Sequence, residues 1–316
     1  MIFTSTCCDN LSIDEIIERA EKGDCEAQYI VGFYYNRDSA IDSPDDEKAF
    51  YWLKLAAEQG HCEAQYSLGQ KYTEHAIFWL KKAALQGHTF ASNALGWILD
   101  RGEDPNYKEA VVWYQIAAES GMSYAQNNLG WMYRNGNGVA KDYALAFFWY
   151  KQAALQGHSD AQNNLADLYE DGKGVAQNKT LAAFWYLKSA QQGNRHAQFQ
   201  IAWDYNAGEG VDQDYKQAMY WYLKAAAQGS VGAYVNIGYM YKHGQGVEKD
   251  YQAAFEWFTK AAECNDATAW YNLAIMYHYG EGRPVDLRQA LDLYRKVQSS
   301  GTRDVSQEIR ETEDLL

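Results

Sequence analysis

Five carboxamides stand at one constant interval of 36 residues: Asn128, Asn164, Gln200, Asn236 and Asn272. Each carries both donors and an acceptor, a pairing that matches the backbone of an extended peptide. Amides bonding their neighbours across a helix interface would serve the same pattern. Beside them, Trp131, Trp203 and Tyr239 share a repeat position with Trp97 and Asp167, and Tyr271 shares another with Asn127, Asn163, Phe199 and Val235. Rings set among polar groups are the usual composition of binding hot spots, although packing between adjacent helices explains some of them equally well. The candidate protein-binding residues are therefore Asn128, Asn164, Gln200, Asn236, Asn272, Trp131, Trp203, Tyr239 and Tyr271.

The residues that catalyse reactions or hold metals are arranged less suggestively. Cys25 and Cys62 occupy the same place in successive repeats. Stacked helices lie about 8–10 Å apart, whereas an unstrained disulfide wants Cα atoms within about 7 Å. Cys7 and Cys8 are adjacent, and no C-x-x-C motif exists to hold a metal; the expectation is free thiols. His61, His88 and His158 each follow a closing glycine, so they are repeat features near a helix start. His243 and His278 end helices in the last two repeats, and no metal site is expected from them. No S-x-x-K nucleophile motif with partner motifs appears. The expectation is a protein that is not an enzyme, with no catalytic residue, metal or cofactor.

Helices must position these residues. The phrase KQAALQG ending at Gly157 returns as KSAQQG at Gly193, KAAAQG at Gly229 and KAAECN at Asn265. Self-similarity at such a period marks a repeat architecture. Eight units follow: 24–60, 61–87, 88–121, 122–157, 158–193, 194–229, 230–265 and 266–301. In the fifth, Ala161, Leu165, Ala166 and Tyr169 fall on one face of a first helix. Gly172-x-Gly174 then makes a turn. Asn178, like Asp142, Asp214, Asp250 and Asp286 in its siblings, stands where an N-cap belongs. A second helix carries Ala182, Trp185, Tyr186, Ser189 and Ala190 and stops at Gly193. The tryptophan recurs as Trp52, Trp79, Trp113, Trp149, Trp185, Trp221 and Trp257, with Leu293 in the last unit. A ring at fixed repeat spacing is expected in the core.

Three segments depart from this pattern. Residues 1–23 read as a tail and a capping helix, in which Ile13, Ile16, Ile17 and Ala20 cover the end of the stack. Residues 302–316 read as a polar capping helix, as solenoid ends require. The first unit lacks the Gly-x-Gly turn and uses 41–48 instead, with Pro44 and Asp45 leading into its second helix. In the second unit only Thr73, Glu74 and His75 join the two helices, about nine residues fewer than in the siblings. A missing polar loop is the expectation there, which a backbone break between Tyr72 and Ala76 would support.

The phrase AQNNLGWMYRNGNGVAKDYALAFFWYKQAALQG at 125–157 closely resembles the Sel-one-like repeat family, a relative of the tetratricopeptide repeats, and AWYNLAIMY at 269–277 resembles a tetratricopeptide first helix. The resemblance covers 24–301. It implies an all-α fold, an α/α superhelical solenoid of helix-turn-helix units with a concave groove. In the tetratricopeptide relatives an asparagine matching the carboxamide row can contact a bound chain. One branch of the family is secreted, cysteine-paired and binds penicillin-like compounds; its bridges would stand near Ala154 and Gln162, which are not cysteines. Other relatives modulate membrane-bound enzyme complexes in protein quality control.

Composition bounds the partner. Lys and Arg number 28 against 42 Asp and Glu, a net charge of −14. That excess argues against nucleic acid, whose phosphates need clustered bases, and against an anionic membrane surface; it could steer a basic partner. No long apolar run and no basic start are present, so neither membrane insertion nor export is expected, and the location expected is cytoplasmic. The leading expectation is a non-catalytic scaffold or adaptor holding a peptide or protein in its concave groove. The alternatives are a cell-wall or penicillin-type hydrolase, by analogy with the cysteine-rich branch, and a modulator of a membrane-associated complex.

Overall fold

The structure, a computed structural model, describes residues 11–36, 45–72 and 75–316. Among these residues there are eighteen helices and no strand. The chain forms two compact units, residues 1–153 and 154–316. The first opens with α1 (Ile13–Glu21) and continues in hairpins: α2 (Cys25–Tyr35) with α3 (Asp46–Glu58), α4 (Cys62–Lys71) with α5 (Ala76–Leu85), α6 (Thr89–Arg101) with α7 (Tyr107–Glu119), and α8 (Ser123–Asn135) with α9 (Tyr143–Leu155). The second holds α10 (Ser159–Asp171) with α11 (Lys179–Gln191), α12 (Arg195–Ala207) with α13 (Tyr215–Ala227), α14 (Val231–His243) with α15 (Tyr251–Glu263), α16 (Ala267–Tyr279) with α17 (Leu287–Ser300), and finally α18 (Ser306–Asp314). Within each unit the second helix of a hairpin packs on the first helix of the next. The fold is all-α, an α/α solenoid of helix-turn-helix repeats.

Local chemistry sets the helix boundaries. Asn178 accepts from Leu181 N at 2.9 Å, Asp250 from Ala253 N at 3.0 Å and Asp286 from Gln289 N at 3.0 Å. Each satisfies a backbone donor that a helix start leaves open. Gly244 ends α14 in the left-handed region at φ 70°. Two residues on, Gly246 repeats that conformation, and a Cβ there would stand 2.5 Å from the Tyr215 carbonyl oxygen. The second glycine thus lets the turn close onto the helix start of the preceding repeat.

The deepest side chain in each hairpin is a ring or leucine of the second helix. Leu53, Leu80, Tyr114 and Tyr150 in the first unit, and Tyr186, Tyr222, Phe258 and Tyr294 in the second, are fully buried. A small residue of the first helix faces the ring: a Cβ on Gly130 would meet the Tyr150 ring at 2.7 Å. The tryptophans singled out by their spacing lie one residue earlier. Trp79, Trp113 and Trp221 are buried, while Trp52, Trp149, Trp185 and Trp257 are half-buried against the core. Both residues are core, but the tyrosine is the deeper.

A glutamine relay joins the repeats. In the second unit Gln162 Nε2 donates to the Ala154 carbonyl at 3.2 Å and Gln192 Nε2 to Gln162 Oε1 at 2.8 Å. Gln198 and Gln228 repeat both bonds at 3.2 and 2.8 Å. The first unit has the same pattern in Gln65 and Gln86, at 2.9 and 2.8 Å. Where the resemblance would place a bridging cysteine pair, Ala154 and Gln162 are joined by this hydrogen bond. Buried amides that find such partners avoid the desolvation penalty of an unpaired group.

At the start, Ser12 and Glu15 form a capping box on α1, whose Ile16 and Ala20 are buried. At the other end Val305 and Thr312 bury α18 against the last hairpin. Asp45 caps α3, accepting from Lys48 N at 3.0 Å; residues 41–44, including Pro44, lie outside the described residues. So do Cys7 and Cys8, and so do Thr73 and Glu74, where the break in the short second unit was expected. The two helices flanking that connection end at Lys71 and resume at Ala76.

Candidate protein-binding surface

The carboxamides stand on the first helices of the last five hairpins, where 36 residues return each position to the same face. In the first unit, Asn128 on α8 is half-buried and donates through Nδ2 to Asn93 Oδ1 of α6 at 3.2 Å. One turn on, Trp131 is 42% exposed. A pocket of about 280 Å³ opens here, lined by Asp100, Arg101, Asn127, Asn128 and Trp131. Asp100 Oδ2 accepts from the buried Tyr114 hydroxyl at 2.8 Å. Burial pushes the Asp100 carboxyl up, against the pull of the Tyr114 hydroxyl and Arg101.

The second unit holds Asn164 on α10, Gln200 on α12 and Asn236 on α14, all half-buried. The Tyr186 hydroxyl donates to Asp167 Oδ1 at 2.9 Å. Trp203 and Tyr239 stand out from the same helices, 37% and 41% exposed. Tyr239 stacks on His243 with ring centres 5.4 Å apart.

The row ends differently. Asn272 on α16 is buried and spends Nδ2 on the Thr268 carbonyl at 2.8 Å. Tyr271 lies half-buried beneath the last segment: its hydroxyl is 3.3 Å from Glu308 of α18, and Arg303 lies 3.9 Å from its ring centre. His278 meets the buried Thr312 at 3.1 Å. Of the expected binding residues, Tyr271 therefore sits under α18 and Asn272 is buried, while the earlier rings are open.

Two sets of residues escaped the sequence reading. The first is a set of exposed rings on the second helices of the hairpins, at Phe78 and Phe148 in the first unit and Phe184 and Tyr220 in the second. Each packs edge-on against the following tryptophan at 4.9–5.1 Å between ring centres. Its signal was the aromatic doublet preceding each lysine, as in Phe184, Trp185 and Lys188. The second is Asp204, which is 3% exposed at a position held by Leu168, Met240 and Met276 in the sibling helices. Burial and the Glu170 charge push its carboxyl up to about 7, against Lys179.

His61, His88, Cys25 and Cys62 make contacts within the fold. His61 and His88 cap α4 and α6: their Nδ1 atoms accept from Ala64 N at 3.2 Å and Ala91 N at 3.0 Å. The other nitrogens reach Glu26 at 3.1 Å and Glu63 at 3.3 Å, both from the preceding hairpin. Burial holds the His158 imidazole below its usual range. The Cys25 and Cys62 thiols each donate to a backbone carbonyl at 3.6 Å, and burial raises both. Among the described residues no helix is long and apolar enough to cross a membrane.

Comparison with known proteins follows the helices closely. The family model described as the Sel1 repeat matches eight segments, 25–61, 62–88, 89–122, 123–158, 159–194, 195–230, 231–266 and 267–296. Over 151 residues the chain is 96% identical to the Sel1-repeat-containing protein YbeQ of Escherichia coli strain K12; the match spans 45% of this chain and 46% of that relative, so less than half the relative's length is covered. Among solved structures, a protective antigen of uropathogenic Escherichia coli displaying an SLR fold superposes with a TM-score of 0.87 at 34% identity, over 92% of this chain and 65% of the other. A Sel1 repeat protein from Oxalobacter formigenes superposes at 0.72 with 29% identity, over 95% and 90%.

Proposed function

The chain belongs to the Sel1 repeat family, and from that premise we propose that it is a non-catalytic scaffold or adaptor that binds a peptide or protein along its first helices. The observation that carries this reading is the outward set of the rings beside the carboxamides. Trp131, Trp203 and Tyr239 remain 37–42% exposed, while Tyr133, Tyr205 and Tyr241 of the same helices are half-buried against the core. An exposed ring on a rigid helix gives a large contact area at small entropic cost. The half-buried Asn128, Asn164, Gln200 and Asn236 supply hydrogen-bonding groups beside those rings; Tyr271 lies beneath α18 and Asn272 is buried, so neither belongs to the open surface.

The test is affinity capture from cell extract with the wild-type chain beside an Asn164→Ala/Asn236→Ala double variant of unchanged helicity. Selective loss of one captured protein from the double variant supports the reading. Recovery of nothing above background by the wild type, with or without crosslinking, removes it.

A further inference from the structure

The pocket between α6 and α8 has a more specific chemistry than the rest of the row. Its floor holds a carboxylate that is nine-tenths buried: the Asp100 side chain is 8% exposed. One oxygen is used by Tyr114, but Oδ1 is buried with no hydrogen bond. The nearest cation, Arg101, places Nε 3.5 Å from that oxygen, an ion-pair distance beyond good hydrogen-bond geometry. Arg101 is itself 64% exposed and lies over the Trp97 ring, 5.2 Å from its centre. Trp131 forms another part of the lining with an open face, and the carboxamides of Asn127 and Asn128 complete it. Glu103 and Asp104 follow directly in the chain and are exposed.

A buried, underused carboxylate beside an open indole face describes a seat for a cation. Resting on the binding role proposed above, we propose that this pocket receives a lysine or arginine side chain of a basic peptide partner. The incoming ammonium or guanidinium donates to Asp100 Oδ1 and lies against Trp131, and Arg101 swings outward on its exposed stem. Such a contact combines a charge-assisted hydrogen bond with a cation–π contact. The overall charge of −14 favours the approach of such a partner.

The probes are two short fluorescein-labelled peptides, one alternating glycine with lysine and one alternating glycine with glutamate, read by fluorescence anisotropy at near-physiological salt. The lysine peptide is expected to bind, and to bind about fivefold or more weakly to Asp100→Asn and to Trp131→Ala. Tyr220→Ala, which removes an exposed ring from α13 in the second unit, should leave its affinity unchanged. Asp100→Asn keeps an oxygen for the Tyr114 hydroxyl; should it still fail to fold, the indole N–H resonance of Trp131, assigned with Trp131→Phe, reports occupancy in the wild type. Overturning results are no lysine-peptide binding, equal binding by Asp100→Asn, a glutamate peptide that binds as well, or a Trp131 resonance that does not move. A captured partner insensitive to Asp100→Asn would overturn the cation seat alone and leave the scaffold reading standing.

Discussion

Two neighbouring repeats of the second unit bury the same ring in opposite circumstances. In α10 the sequence at the critical turn is Asp167-Leu168; in α12 it is Trp203-Asp204. Asp167 faces the Tyr186 hydroxyl and accepts its hydrogen bond at 2.9 Å. Moving the acid one residue along a helix turns it through about 100°, and Asp204 enters the core. There its Oδ2 has no hydrogen bond, and neither has the hydroxyl of the fully buried Tyr222. The tyrosine is thus held by its ring and the repeat geometry, not by its hydroxyl. A carboxylate can be either its partner or an expense to the fold, depending on one residue of register.

The broadest test of that comparison removes the rings. Tyr186→Ala and Tyr222→Ala should each destabilise by about 3–5 kcal/mol, as loss of a buried aromatic does, measured by urea unfolding. Near-equal losses would confirm that the ring dominates in both repeats; a harmless Tyr222→Ala would break the equivalence. Asp204→Met, which restores the sibling residue, should act in the other direction. The folded-state value of about 7 lies above the ordinary 3.8, so the folded protein holds this proton more tightly than the unfolded chain. Its contribution is fully present below pH 3.8 and is lost as pH rises through about 7, for a cost on the order of 4 kcal/mol. Asp204→Met should therefore gain most at pH 8 and little at pH 4, read as the difference in urea midpoints. A gain that does not grow with pH would show that Asp204 is not protonated in the folded state.

The contrast also marks what the sequence could reveal. The caps at Asn178, Asp214, Asp250 and Asp286 were legible because capping is decided within three residues. The hairpins were legible because the same apolar stripe returns every 36. The depth order of Trp185 and Tyr186 was not, because both lie on the apolar side and only packing chooses between them. The glutamine relay was hidden for a related reason: Gln162 bonds a carbonyl eight residues back and a glutamine 30 residues on. Position alone made Asn272 look like Asn236 and set Tyr271 in the place of Phe199. Tyr271 differs because α18 lies against it, a neighbour that the repeat pattern does not encode. Asp204 could have been suspected, since it replaces the methionine or leucine of its siblings.

Hydroxyl removal sharpens the comparison further. Tyr186→Phe takes a donor from Asp167, and should cost about 1–2 kcal/mol. Tyr222→Phe removes a hydroxyl that is buried without a partner, and should be neutral or slightly stabilising. Equal losses in the two variants, measured by thermal and urea unfolding, would mean that Tyr222 has a partner after all.

The smallest effect expected lies at the caps of the same two repeats. Asn178 accepts one backbone N–H, from Leu181 at 2.9 Å. Asp214 accepts two, from Lys216 at 2.9 Å and Gln217 at 3.1 Å. Both side chains are solvent-facing, so each truncation to alanine removes a local bond that water partly replaces, at about 1 kcal/mol. Asp214 also places a negative charge at the positive end of α13, worth about 0.3–1 kcal/mol at low salt. Asp214→Ala should therefore cost slightly more than Asn178→Ala, and the excess should shrink as salt is added. Amide exchange in the first turns of α11 and α13 reads both effects where they act, and an excess that persists at high salt would assign it to the second hydrogen bond instead of to the charge.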